Sequence, residues 1–261
     1  MLKYTGVRVI NTCSTGLNHI DLDYCKSNNI TIQSHKNDYK LINNLPSTAE
    51  LAFTLMMNLL RKITNANDHV RGYGWNYTNY MGHQLEGLNV GIVGYGRLGK
   101  MMYKYCEAFG ANVKIYDPYV RDKLDDAFLL NNWSSSLKNL FKWSKVISLH
   151  VHVTDETKHM INSNVLNQAN KSYLVNTSRG DIVDEKAVVK ALKDKKLSGY
   201  ATDVVEAEFN EGPLTDTWDS PIIKAMHTPL NIIATPHVGG MTWEGQEKAY
   251  LWSIEKIRTV L

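Results

Sequence analysis

The chain has 261 residues, 43% of them hydrophobic and 21% charged, enough to build one large or two modest folded units around a real core. Its 29 basic and 26 acidic residues leave a formal charge of +3, too even a balance to argue for a nucleic acid or a membrane surface as partner. No apolar run reaches the length of a membrane span and the start carries no signal-peptide pattern. Three scattered cysteines, Cys13, Cys25 and Cys106, form neither a disulfide framework nor a zinc pattern and suit a reducing, cytoplasmic location.

In chain order, the N-terminal part reads strand, helix, strand over 7–12, 19–27 and 30–33, with a turn at Gly16. Residues 36–46 are polar and turn-rich, and predict a hinge. Ser47-Thr48-Ala49-Glu50 then fits a capping box, in which the serine oxygen and the glutamate each take an amide proton from the other's end of the first turn. The helix it opens is apolar almost all round as far as Leu60. Burial on more than one side follows, either between domains or against another subunit. From Leu88 onward short apolar runs alternate with helical patterns. Strands are expected over 88–93, 112–116, 146–151, 172–176, 199–203 and 231–234, with helices such as 98–109 and 184–193 between them. That alternation predicts an α/β fold with a parallel sheet covered on both faces, and six strands in two halves make it the doubly wound Rossmann type. A last helix over 244–260 is expected to return to the N-terminal segment.

The first strand of this alternation runs into Gly94-Tyr95-Gly96-Arg97-Leu98-Gly99, which opens a helix. In that context Gly94 permits a sharp turn, Gly96 lets the backbone approach a pyrophosphate, and Gly99 lets helix and strand pack closely. The amides of Arg97 and Leu98 start the helix and point at the phosphates. Asp117 lies eighteen residues past Gly99 at the end of the next strand, placed to accept hydrogen bonds from ribose hydroxyls. A carboxylate there repels the extra phosphate of NADP and favours NAD, although Arg121 nearby keeps NADP open.

Three residues downstream carry chemistry. Arg179 follows the strand over 172–176, and its planar fork suits holding a carboxylate and polarising a carbonyl. His237 follows Pro236 at the end of the last strand and precedes Gly239 and Gly240, which allow a cofactor close approach. A lone histidine is more often structural, but a carboxylate beside it would keep its proton on near neutrality, as an acid/base group needs. Glu208 is the candidate for that carboxylate, with Glu206 a rival on the residues alone. Together these groups supply what hydride transfer to a 2-oxo acid requires. His150 and His152 alternate on a predicted strand and would share a face, but no third ligand is apparent and no metal is expected. Trp75 with Tyr73, Tyr77 and Tyr80 reads as packing or subunit contact rather than as a surface for stacking bases.

The chain resembles the D-isomer-specific 2-hydroxyacid dehydrogenase family, which includes phosphoglycerate, glycerate and D-lactate dehydrogenases. The likeness runs over nearly its whole length: the segment from Ser14 to Asp21, the loop from Gly91 to Gly99, Tyr116-Asp117-Pro118, the run from Leu174 to Gly180, Ile182 to Glu185, and Thr235 to Gly240. The resemblance implies that Arg179 and His237 are the substrate arginine and the acid/base. It places the catalytic glutamate five residues past Asp203, which selects Glu208. It implies that Asp203 with Thr177, Ser178 and Arg179 faces the nicotinamide, that Ser14, Thr15 and Gly16 help hold the substrate carboxylate, and that the helix from Ser47 forms a homodimer interface. The implied domains are a remnant of a flavodoxin-like substrate domain over 1–45, an NAD-binding domain over 46–239 that includes the dimerisation helix, and a C-terminal helix over 240–261 returning to the substrate domain. There are two departures. His152 stands where many members have proline, and the family's first strand–helix units are missing before Val7, so the substrate domain is expected to be incomplete. The expected function is therefore NAD-dependent interconversion of a 2-hydroxy acid and its 2-oxo acid. The competing expectation is a catalytically impaired NAD-binding or sensing protein of the same family, which also extends to transcriptional co-repressors. A different enzyme on the same fold, such as an alanine dehydrogenase-like or homocysteine-releasing one, is disfavoured by the placement of Arg179 and His237.

Overall fold

The computed structural model describes residues 6–17, 19–120, 131–206, 208 and 219–259. The chain forms two compact units, Met1–Ser47 with Gly240–Leu261, and Thr48–Gly239.

In the first unit β1 (Val9–Asn11) and β2 (Thr31–Gln33) pair in parallel, joined by α1 (Leu22–Ser27). A parallel pair needs such a crossover, and the Asp21 carboxylate caps it by accepting from the Tyr24 amide at 2.9 Å. The strands are shorter than their apolar runs. The turn-rich segment over 36–46 is an ordered part of this unit: it forms α2 (Tyr39–Ile42) and buries Leu41 and Ile42. The C-terminal helix, Trp243–Arg258, belongs to the same unit. Asn11 Nδ2 donates to the Ser253 carbonyl at 2.7 Å, and Lys256 Nζ bonds the Asp38 carboxylate at 2.9 Å. His35 is 1% exposed, with Nδ1 2.9 Å from that carboxylate and Nε2 3.0 Å from Ser253 Oγ.

The second unit holds a six-stranded, wholly parallel sheet among the described residues. It is built from β3 (Asn89–Val93), β4 (Asn112–Tyr116), β5 (Val146–Leu149), β6 (Ser172–Asn176), β7 (Leu197–Thr202) and β8 (Ile232–Ala234), in the order β4-β3-β5-β6-β7-β8. Every residue of β5 and β6 is buried, which is why these strands read as unbroken apolar runs rather than as alternation. A single bridge between Ile115 and Trp133 lies beyond β4, where a fuller doubly wound sheet would carry another strand. The order reverses between β3 and β5. In such sheets the crevice at the carboxyl ends beside that reversal is where ligands bind.

Each face of the sheet has its own core. One is filled from α3 (Ser47–Arg61) and α5 (Arg97–Ala108), with Leu55, Met56, Leu59, Met102 and Cys106 against Val90, Ile92, Val175 and Ile233. The other is filled from α6 (Leu137–Trp143), α7 (Ser163–Leu166), α8 (Glu185–Lys193) and α9 (Pro221–Met226). The apolar girth of α3 is used in part within its own unit. Its fully buried residues, Ala49, Ala52, Leu55, Met56, Leu59 and Leu60, make one stripe at helical spacing. Leu51, Phe53 and Met57 on its flanks pack against the same core, Phe53 against the rings of Tyr105 and Phe109. Its own sheet and α5 account for the buried stripe, while Leu51, Phe53 and Met57 stay partly exposed in the single chain. After it comes α4 (Ile63–Arg71), followed by an outlying segment in which Tyr73, Trp75, Tyr77 and Met81 are almost fully exposed, so these aromatics do not pack within the unit.

Leu59→Ala removes three heavy atoms from a wholly buried position beneath the sheet. Urea denaturation followed by circular dichroism should show a loss of about 2–5 kcal/mol, the range for such truncations.

Candidate active site

The three loop glycines separate by what surrounds them. Gly94 has φ +89°, and a Cβ there would lie 2.5 Å from the His150 carbonyl oxygen. A Cβ on Gly99 would lie 2.0 Å from the Gly94 carbonyl oxygen, so this glycine is required for α5 to pass the strand end. Gly96 has an ordinary extended backbone, and a Cβ there would meet nothing within 4 Å. Its smallness serves no neighbour in the protein. It keeps open the space in front of the first turn of α5, where Arg97 and Leu98 begin the helix and Gly96, at the N-cap, has no side chain to bond the first amides. Asp117 fixes this loop: Oδ2 accepts from the Tyr95 amide at 2.8 Å and Oδ1 from the Tyr119 amide at 2.9 Å. Each oxygen has further acceptor capacity. Arg121 lies outside the described residues.

The ends of β6, β7 and β8 bring the chemical residues together. Asn176 closes β6 by accepting from the Ser178 amide at 3.0 Å and donating to the Arg179 carbonyl at 2.9 Å, and Ser178 Oγ ties the same turn to the Leu149 carbonyl at 2.6 Å. Arg179 emerges from this clamped turn, half-buried. Gly180, which the sequence marks only as the end of the run from Leu174, proves essential. A Cβ there would sit 2.0 Å from the backbone of Val205, so the turn after β6 and the turn after β7 touch main chain to main chain.

Asp203 is 1% exposed at the end of β7. Its Oδ1 accepts from Thr235 Oγ1 at 2.6 Å and from the Val238 amide at 2.8 Å, and its Oδ2 from the Gly239 amide at 2.7 Å. Burial pushes this carboxyl upward, and those bonds work against the shift. His237, between these donors, has φ +53° and gives its own amide to the Asp203 carbonyl at 2.9 Å. Its Nδ1 is 2.8 Å from Glu208 Oε1. The Glu208 hydrogen bond and charge raise the imidazole pKa, against desolvation and against the charge of Arg179. Glu206 is engaged elsewhere, its Oε1 2.7 Å from His159 Nε2.

Thr177 is buried, and its Oγ1 has no hydrogen-bond partner. That orphaned oxygen and the cradle in front of Gly96 both lie at the carboxyl edge of the sheet and fit a dinucleotide. Gly239 serves Asp203 through its amide, whereas Gly240 begins the other unit and its carbonyl accepts from Gln246 Nε2 at 2.9 Å. Ser14, Thr15 and Gly16 also belong to the other unit. There Ser14 Oγ donates to the Gly16 carbonyl at 2.6 Å and the Ser14 carbonyl accepts the His35 amide at 3.0 Å. The two histidines expected to share a strand face do not. β5 ends at Leu149. His150 pairs through Nε2 with Ser148 Oγ at 2.9 Å and is held neutral by burial, its pKa lowered to about 4, while His152 is exposed. No group of three or more His, Cys, Asp or Glu among the described residues is placed to hold a metal ion.

The fold and this crevice define a dinucleotide-binding α/β protein with an acid/base pair at the carboxyl edge of its sheet. The family model described as D-isomer specific 2-hydroxyacid dehydrogenase, NAD binding domain, matches residues 53–239, and the chain belongs to that family. It is 35% identical over 250 residues to a 2-hydroxyacid dehydrogenase homolog of Zymomonas mobilis, covering 94% of this chain and 73% of that protein. It is 32% identical over 245 residues to D-3-phosphoglycerate dehydrogenase of Bacillus subtilis, covering 94% of this chain but spanning only 43% of that protein's length. Among solved structures it is similar to D-lactate dehydrogenase of Aquifex aeolicus complexed with NAD and lactic acid, with a TM-score of 0.76 and 31% identity over 97% of this chain and 75% of that one.

The glycine geometry separates binding from folding. Gly96→Val should weaken NADH binding at least about tenfold by fluorescence titration and leave the melting temperature unchanged. Gly99→Val should destabilise the fold by at least the ~1–3 kcal/mol typical of overpacking.

Proposed function

We propose that the chain is an NAD-dependent oxidoreductase that interconverts a D-2-hydroxy acid and its 2-oxo acid. The observation that carries this reading is the pairing of His237 Nδ1 with Glu208 Oε1 at 2.8 Å, within the electrostatic reach of Arg179. NADH, when bound, supplies the hydride. The guanidinium of Arg179 holds the substrate carboxylate and polarises the carbonyl oxygen. His237, kept protonated by Glu208, gives a proton from Nε2 to that oxygen as C2 is reduced, and the reverse reaction returns the proton to the ring. Asp203 and Thr177 belong to the nicotinamide end of the crevice on this reading, and Ser14, Thr15 and Gly16 to the substrate carboxylate. Residues 1–45 and 240–261 then serve as the substrate domain and 46–239 as the cofactor domain.

We assign the protein a homodimeric state. The exposed Tyr73, Trp75, Tyr77 and Met81, a groove on α4 lined by Ile63, Ala66 and Val70 with Arg61 and Asn67, and the partly exposed Leu51, Phe53 and Met57 of α3 support it. Among the described residues no helix is long and apolar enough to cross a membrane, and a cytoplasmic setting suits three unpaired cysteines.

Purified protein with NADH and a panel of 2-oxo acids (pyruvate, glyoxylate, hydroxypyruvate) tests the reaction by loss of nicotinamide absorbance. At least one should be reduced, and oxidation of NADH by none would count against the reading. His237→Asn tolerates the left-handed backbone and should cost a factor of roughly 10²–10⁴ in kcat. The rate of reduction should hold at low pH and fall as pH rises through a His237 pKa above its usual value. Glu208→Gln removes the raising carboxylate and should move that limb to lower pH. Light scattering should give a dimer that Trp75→Ser weakens.

A further inference from the structure

Glutamate is almost never fully buried unless it is paired, and at a helix start it normally faces water. Glu185, the first residue of α8, is 2% exposed. It is not needed as a cap, because Asp184 Oδ1 already accepts the Ala187 amide at 3.0 Å. Instead Oε1 accepts the Glu206 amide at 2.9 Å and Oε2 accepts Ser220 Oγ at 2.6 Å. These two partners bracket residues 207–219 in the chain, and Glu208 is the second residue after the first of them. The main-chain contact of Gly180 with Val205 fixes the residue just before. The Glu206 carboxylate itself is taken up by His159, which leaves the Glu206 amide as the point where Glu185 grips the turn.

We propose that Glu185 is a positioning residue that clasps the turn after β7 so that Glu208 meets His237. The inference rests on the acid/base reading above and extends it to a residue that touches neither substrate nor cofactor. Its cost is a buried carboxyl: desolvation and the charge of Glu206 push its pKa up, while the bonds to Ser220, Glu206 and Ile222 oppose that. Among the charged groups acting on His237, Glu208 and Asp203 raise its pKa and Arg179 lowers it, with Glu208 the larger raising influence, so displacing Glu208 should let the pKa fall.

The test is the titration of His237 in the whole apo protein, followed by the ring signals of labelled histidine and assigned with His237→Asn. Wild type, Glu208→Gln, Glu185→Gln and Glu185→Ala are compared, with melting temperature and NADH affinity measured on each. Glu208→Gln should lower the His237 pKa. Glu185→Ala should lower it nearly as far, with kcat down by up to about 10² and NADH affinity within about twofold, since misplacement without lost contact costs on that order. Glu185→Gln keeps one acceptor oxygen for the Glu206 amide and should fall between, and it serves alone if Glu185→Ala does not fold. An unchanged His237 pKa in folded Glu185 variants, beside a lowered one in Glu208→Gln, overturns the proposal and leaves the acid/base reading standing. An unchanged pKa in Glu208→Gln overturns both.

Discussion

Three donors from the segment after β8, Thr235 Oγ1, Val238 N and Gly239 N, converge on the carboxylate of Asp203, and the Asp203 carbonyl takes the His237 amide as well. A left-handed backbone costs a residue with a side chain roughly 1–2 kcal/mol, so His237 at φ +53° must be held there by its surroundings. Hydrogen bonds to a charged acceptor contribute about 1.5–3 kcal/mol each, which is enough to hold it. The imidazole thus owes its place to a buried acid one strand away, and its protonation to a different acid, Glu208. Separating those two tasks lets each carboxylate sit where its own requirement is met. Asp203 is buried with both oxygens bonded, and Glu208 keeps one oxygen turned to the ring.

The same arrangement repeats along the sheet edge. Asn176 closes the turn that presents Arg179, Asp117 closes the turn that presents the first amides of α5, and Glu185 closes the turn that precedes Glu208. In each case a polar side chain satisfies main-chain groups that would otherwise be left unpaired where strands end. Arg179, Glu208 and His237 rise from or beside turns that other polar side chains fix.

What could be read in the residues follows from how local each constraint is. The six strands were visible because a sheet covered on both faces demands apolar runs, and Gly94 and Gly99 because a Cβ at either would fall 2.5 or 2.0 Å from a carbonyl oxygen. Glu208 could not be told from Glu206 by residue type, since both sit in one short irregular turn. Only the likeness to a family chose between them, and the choice depends on His237 and His159, which are distant in the chain. Glu185 was hidden for the opposite reason: an acid in the first turn of a helix is so common that nothing marks one turned inward. The apolar girth of α3 was visible in the residues, but which neighbours cover it was not, because a single helix does not display them; within the chain α5 covers one flank. His150 and His152 were paired by a strand period that stops at Leu149, after which alternation no longer applies.

The bridge that stands in for an outer strand beyond β4 has an optical consequence. It sets the indole of Trp133 edge-on to Tyr95, with ring centroids 6.0 Å apart, and the amide of that tyrosine is the one bonded to Asp117. Trp243 is about nine-tenths exposed, whereas Trp133 is half-buried against the loop that borders the cofactor cradle. The molecule therefore carries an emitter next to its cradle. Energy passing from that indole to a reduced nicotinamide would let occupancy be followed by the protein's own light, without a label and without turnover.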